Sequence, residues 1–190
     1  MTNILIEIHQ LETVRLYPPI LALPKSVATP IATLRLPETG RTLTLPKKTI
    51  LLPSILATQM HPKYWPDEPN IWNPRRWIEI EEDMELSNCH NSSLDSRLAR
   101  EKIMEPHPGV YLPWSSGVQN CPGRKFAQVE IVVVVATLLR EHRLRVELLE
   151  KEDFEKAQAR LLKCTNDSYQ LLVMQMKNAD SMKFYFERVQ

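Results

Sequence analysis

The sequence predicts an α+β chain, and three observations carry the prediction. All 15 prolines fall between Pro18 and Pro122, and none follows. Proline interrupts helices and central sheet strands, so the first part reads as short strands and turns after an opening helix. Within it, Thr33 to Leu36 and Arg41 to Leu45 alternate apolar with polar residues, the period of a half-buried strand. Beyond the last proline come one long apolar segment over residues 123–142 and a tail rich in β-branched and aromatic residues.

The elements follow in order. An opening helix carries Glu12-Thr-Val-Arg15 and stops at Pro18-Pro19. At a spacing of three the Glu12 and Arg15 side chains share a helix face and can pair. Pro37-Glu-Thr-Gly40 joins the two alternating runs as a hairpin. Thr49 to Leu52 reads as another strand, and Ile55 to Met60 as a short helix stopped by Pro62. Residues 79–108 form a polar excursion with an acidic start, read as an exposed loop with a weak helix from Leu94 to Met104. The segment 123–142 fits either a strand, through Ile131-Val-Val-Val-Val135, or a buried helix, through Phe126, Val129 and Leu138. Phe154 to Lys163 reads as helix. Leu171 to Met176 and Met182 to Glu187 read as two strands of a hairpin about Lys177 to Ser181.

Composition sets bounds. With 24 Lys and Arg against 23 Asp and Glu the net charge is +1, which gives no basis for nucleic-acid binding or for an acidic membrane surface. The three cysteines, Cys89, Cys121 and Cys164, are odd in number and lack zinc-site spacing, so they read as free thiols. Cys89-His90 is an isolated neighbour pair. No signal peptide is visible, and the longest apolar run, Ile131 to Ala136 with Leu138-Leu139, is too short to span a bilayer.

The most informative segment runs from Leu112 to Arg124: Leu-Pro-Trp-Ser-Ser-Gly-Val-Gln-Asn-Cys-Pro-Gly-Arg. It holds two of the four glycines. Gly117 permits a tight turn at positive φ, and Pro122 suits a first helical turn. Gly123 leaves room for a flat group to approach the backbone. Cys121 at a helix start is a candidate thiolate and iron ligand, because backbone N–H groups there favour negative sulfur.

This segment resembles the haem-binding signature of the cytochrome P450 family through Trp114, Gly117, Gln119, Cys121 and Gly123. Gln119 stands where the family usually has a basic residue that pairs with a haem propionate. Glu12-Thr-Val-Arg15 followed by Leu-Tyr-Pro-Pro is similar to the family's K helix. Trp72-Asn-Pro-Arg-Arg-Trp77 resembles its aromatic-x-Pro-x-Arg-aromatic segment, and His61-Pro-Lys-Tyr-Trp65 the stretch ahead of it. The likeness extends from about Leu5 to about Val189 and is nearest to fungal members.

The resemblance implies a partial P450 fold over residues 1–190: K helix, small sheets, cysteine loop, L helix over 123–142, and C-terminal hairpin. It implies haem b with Cys121 as axial thiolate, and Trp114, Gly117, Gln119 and Gly123 shaping the haem loop. Glu12, Arg15 and Arg76 become a structural triad supporting that loop. Ile20 to Leu23 take a position that touches substrate in the family, though a plain core strand fits them equally. The implied activity is oxidation of a lipophilic small molecule, possible settings including fungal secondary metabolism. Electrons come from a reductase of the NADPH-cytochrome P450 type, which meets the surface around Arg124 and Lys125. Nothing here resembles the family's distal helix or the membrane anchor that holds eukaryotic members at the endoplasmic reticulum. The expectation is therefore a C-terminal portion, cytoplasmic if soluble. The alternative reading is a truncated, non-catalytic remnant without haem.

Overall fold

The computed structural model describes residues 2–80, 101–118 and 120–189. Gln119, Cys89-His90, the acidic residues Glu81, Glu82, Asp83 and Glu85 and most of the helix expected over Leu94 to Met104 lie outside those residues, whereas Glu79 belongs to a strand.

The opening helix α1 spans Thr2–Leu16. Ile4, Ile8 and Leu11 recur at helical spacing on one face and meet Trp65, Trp77 and Val110 in the core. Pro18 ends the helix because it has no N–H for the carbonyl of Val14. Helix α2, Ile55–Gln59, starts at Ser54, whose Oγ accepts from the Ala57 N–H at 3.2 Å. Helix α3, Arg124–Glu141, follows the cysteine loop, and α4, Phe154–Asn166, is capped by Asp153. So the apolar segment is helical over Arg124–Glu141, with its valines on a helix of 18 residues, and His142 is already extended.

Among the described residues the strands form five separate antiparallel pairs. β2 (Ile31–Arg35) and β3 (Thr42–Pro46) make the hairpin expected around Pro37 to Gly40, with Thr33 opposite Thr44. β1 (Lys25–Ser26) pairs β4 (Ile50–Leu51), and β8 (Ser168–Gln170) pairs β9 (Met174–Met176). β5 (Ile78–Ile80) pairs β6 (Glu101–Ile103), and β7 (His142–Val146) pairs β10 (Phe184–Arg188).

Three expectations need correcting. Residues 101–103 are strand, not the end of a helix, because β5 supplies backbone partners. Leu171 to Val173 form the turn between β8 and β9, so Leu171 to Met176 is not one strand. The last strand does not pair with it either. β10 pairs instead with β7, placing Tyr185 opposite Arg145, and β7 lies where no strand was expected.

The accessible surface is 15009 Å² for 22.1 kDa, against about 9,300 Å² for a compact monomer of that mass. Helix α3 exposes Phe126, Val129, Val133, Val134, Leu138 and Leu139. It buries no residue fully, and Phe126 is 72% exposed. Between α1 and α3 runs a groove of about 860 Å³, walled by Leu5, Ile6, Ile131, Val135 and Leu139.

Candidate functional site

The site grows from one carboxylate. Glu12 sits on α1 with no exposed side-chain surface, against the Trp77 indole. A charge there needs strong partners, because desolvation would otherwise expel it. Five N–H groups provide them. Oε1 accepts from Arg15 Nη2 at 2.9 Å, the Asn73 backbone N–H at 2.9 Å and Arg76 Nε at 3.0 Å. Oε2 accepts from Arg15 Nε at 2.8 Å and Trp77 Nε1 at 2.9 Å. Burial alone pushes the Glu12 carboxyl up, but these hydrogen bonds outweigh it and hold the group below the usual carboxylate range.

The arginines extend the network into backbone. Arg15 Nη1 donates to the Gln59 and Pro69 carbonyls, each at 2.8 Å. Arg76 Nη1 donates to Asp67 O at 2.8 Å, and its Nη2 to Ile71 O at 3.2 Å. The planar guanidinium suits this work, since its donors diverge toward several carbonyls at once. The turn Pro74–Trp77 places Arg76 and Trp77 on Glu12, and Asn73 caps it by accepting from the Arg75 N–H. Trp65 lies under the Arg15 guanidinium at 5.0 Å, and Trp77 meets the Tyr111 ring edge-on at 4.9 Å. Thus Glu12, Arg15 and Arg76 are brought together, along with Asn73, Trp77 and Gln59, which the sequence reading did not single out as part of this cluster.

Because the folded carboxyl lies below its ordinary value of 4.5, the ionised form stabilises the fold. That contribution is complete at neutral pH and is lost as pH falls through the folded value. Denaturation midpoints should drop on acidification below about pH 4.5. Glu12→Gln should lack this part of the pH slope, as urea titrations over that range would show.

Tyr111 leads from this core into the cysteine loop. Its hydroxyl donates to Leu11 O at 3.2 Å, and burial pushes its phenol up. In the loop the Ser115 N–H donates to Leu112 O at 3.1 Å, and the Cys121 N–H donates to Trp114 O at 2.8 Å. The loop is thereby closed on itself, with Cys121 half-buried one turn ahead of α3. Trp114 contributes its carbonyl to this closure. Gly117 holds φ +85°, and a Cβ added there would meet nothing within 4 Å, so its role is conformational. Gly117→Ala should cost on the order of 1 kcal/mol through backbone strain alone, read as a lower melting midpoint. At Gly123 an added Cβ would stand 3.8 Å from the Cys121 sulfur.

This donor set can be tested against an iron-bearing macrocycle. A single half-buried thiol leads a helix, and the neighbouring glycine keeps bulk away from the sulfur. Both features fit a thiolate axial ligand beside a flat group. Among the described residues no cluster of three or more His, Cys, Asp or Glu could hold a metal ion. A one-cysteine ligand does not need such a cluster.

The small antiparallel pairs, the cysteine loop and the long helix behind it define one class of fold, and the comparisons specify its family. The cytochrome P450 family model matches residues 10–173. A cytochrome P450 monooxygenase of Arthrobotrys oligospora is 28% identical over 79% of this chain and 26% of its own length. The ganoderic acid synthetase of Ganoderma lucidum is 31% identical over 67% of the chain and 22% of its own. A human ultra-long-chain fatty acid omega-hydroxylase is 34% identical over 74% of the chain and 21% of its own. Among solved structures, the cytochrome P450DA heme domain superposes with a TM-score of 0.62 at 16% identity, covering 97% of this chain and 31% of that one. The chain belongs to the cytochrome P450 family. It spans about a quarter of the length of the curated relatives it matches. Among the described residues no helix is long and apolar enough to cross a membrane.

Proposed function

We propose that this chain forms the haem-ligating, proximal part of a P450 monooxygenase acting on a lipophilic small molecule. The observation that carries the reading is the closed loop at Cys121, built on the same unit as the buried Glu12 network. The fungal relatives, among them one named for ganoderic acid synthesis, support a natural-product substrate.

Each part of the site then has a physical task. Cys121 would hold the iron through its sulfur, with Trp114 fixing the loop through its carbonyl and Gly123 keeping the sulfur's surroundings open. A bound haem would supply the oxidising chemistry, and the Cys121 thiolate would donate electron density to its iron. Glu12, Arg15 and Arg76 touch no reacting atom in this scheme. They lock α1 to the turn at Pro74–Trp77, and so stiffen the platform from which the loop springs. Gln119 would give a propionate a hydrogen bond without charge. Arg124 and Lys125, at the exposed start of α3, follow the cysteine closely in sequence and would face an electron donor of the reductase type.

The test is to express the chain with haem supplied and compare the ferrous–CO spectrum with that of Cys121→Ala. A thiolate-type band lost in the variant supports the reading. A spectrum unchanged by the substitution removes Cys121 from the iron.

A second reading has one observation in its favour. Helix α3 exposes Phe126, Val129, Val133 and Val134 beside an open apolar groove, which suits a unit that contacts another polypeptide and binds no haem. Failure to take up haem in the same experiment would select it.

A further inference from the structure

We infer that Gln59 is a positioning residue that sets the place of the cysteine loop relative to helix α1; the inference rests on the reading of Cys121 as the iron ligand.

The argument starts from Pro18-Pro19. A helix ends with its last carbonyls unpaired, and they are ordinarily met by later N–H groups or water. The residues four beyond Val14 and Arg15 are Pro18 and Pro19, which have no N–H. Two carbonyls at the end of α1 are therefore left without backbone donors, next to a buried core. Gln59 supplies both hydrogens. Its Nε2 donates to Val14 O at 3.2 Å and to Arg15 O at 2.9 Å.

The other end of the amide faces the loop. Gln59 Oε1 accepts from the Leu112 N–H at 3.0 Å. The orientation of the amide follows from chemistry, since carbonyls require a donor and an N–H requires an acceptor. The side chain has no exposed surface, so water cannot stand in for it. Its own backbone carbonyl accepts from Arg15 Nη1. One residue thus spans from the Glu12 network to the first residue of the segment that carries Cys121. From Leu112 the connection continues within the loop, through the Ser115 N–H on Leu112 O and the Cys121 N–H on Trp114 O. Gln59 joins two elements that are 44 and 53 residues from it in sequence, on either side.

Gln59→Met keeps the length of the side chain and removes its hydrogen bonds. In the haem-free chain, amide exchange over residues 112–121 should accelerate roughly tenfold or more, while α4 exchanges as before. With haem, uptake should persist while the thiolate-type share of the ferrous–CO spectrum falls. Unchanged loop exchange, or acceleration spread evenly over loop and α4, would overturn the inference. If Gln59→Met does not fold, the wild-type chain decides. The Leu112 amide must be protected as well as the amides of α1, and exchange at the rate of an exposed loop overturns the inference. Cys121→Ala separates the two claims. A wild-type haem spectrum in that variant would end the ligand reading, whereas loop exchange in Gln59→Met reports the tether itself.

Discussion

Glu12→Ala should destabilise the chain by about 3–5 kcal/mol, the cost of breaking a buried ion pair by removing one partner. Domains of ordinary stability have about 5–15 kcal/mol in total, so the variant should sit near the edge of folding. The reason lies in what remains. Arg15 has no exposed surface and Arg76 is 7% exposed, so both positive charges would stay in the core without a carboxylate, left with carbonyls and the Trp65 ring. The Trp77 indole N–H and the Asn73 N–H would lose their acceptor as well. Glu12→Gln tests whether charge or shape matters. It fills the same space, but its NH₂ end must point at two or three of the five donors. It should be destabilised by a comparable amount, and urea midpoints at neutral pH would measure both variants. A loss under about 1 kcal/mol in either would mean that the network is far weaker than its geometry implies.

Cys121→Ala should abolish thiolate ligation entirely while leaving the fold nearly intact. The sulfur is half-buried, and Cys121 contributes to the loop through its backbone N–H, which alanine keeps. Stability should therefore change by no more than about 0.5 kcal/mol, the range for substitutions away from the core. The contrast with Glu12→Ala is diagnostic, since under the proposed function one variant removes the ligand from a standing platform and the other removes the platform. Cys164→Ala serves as the control. That thiol lies in α4 and donates to Asn178 O at 3.2 Å, outside the loop, so its loss should leave any haem spectrum unchanged. Equal effects from both cysteines would argue against a specific ligand.

How much of this was legible in the sequence differs by element. Helix α1, the hairpin of β2 and β3, and the short helix α2 are written locally, by proline stops, alternation and a serine cap. The tail is not. Leu171-Leu-Val has strand-like residues yet forms a turn, while His142–Val146 becomes a strand only because β10 arrives some 40 residues later to pair with it. Local propensity carries no record of such a partner. In the site, Glu12, Arg15 and Arg76 could be read from short motifs with characteristic spacing. Gln59 could not be read that way, because one amide in a short helix looks like any other. The signal that would have found it was Pro18-Pro19, which announces two carbonyls in need of donors. Asn73 was hidden for a related reason, since it acts on Glu12 through its main chain and any residue but proline has that group.

The Glu12 network also has a consequence for the chain as it is being made. The carboxylate is synthesised well ahead of its Trp77 donor, which is 65 residues downstream. At roughly 5–20 residues per second, translation needs about 3–13 s to supply that indole after Glu12 has been added. Throughout that interval α1 carries an ionised group and an apolar stripe that cannot yet be buried together. The nascent helix must stay hydrated, or be held by a chaperone, until the turn at Pro74–Trp77 emerges. Slowing synthesis just before residue 77 should therefore raise the fraction of chains lost to aggregation on the ribosome.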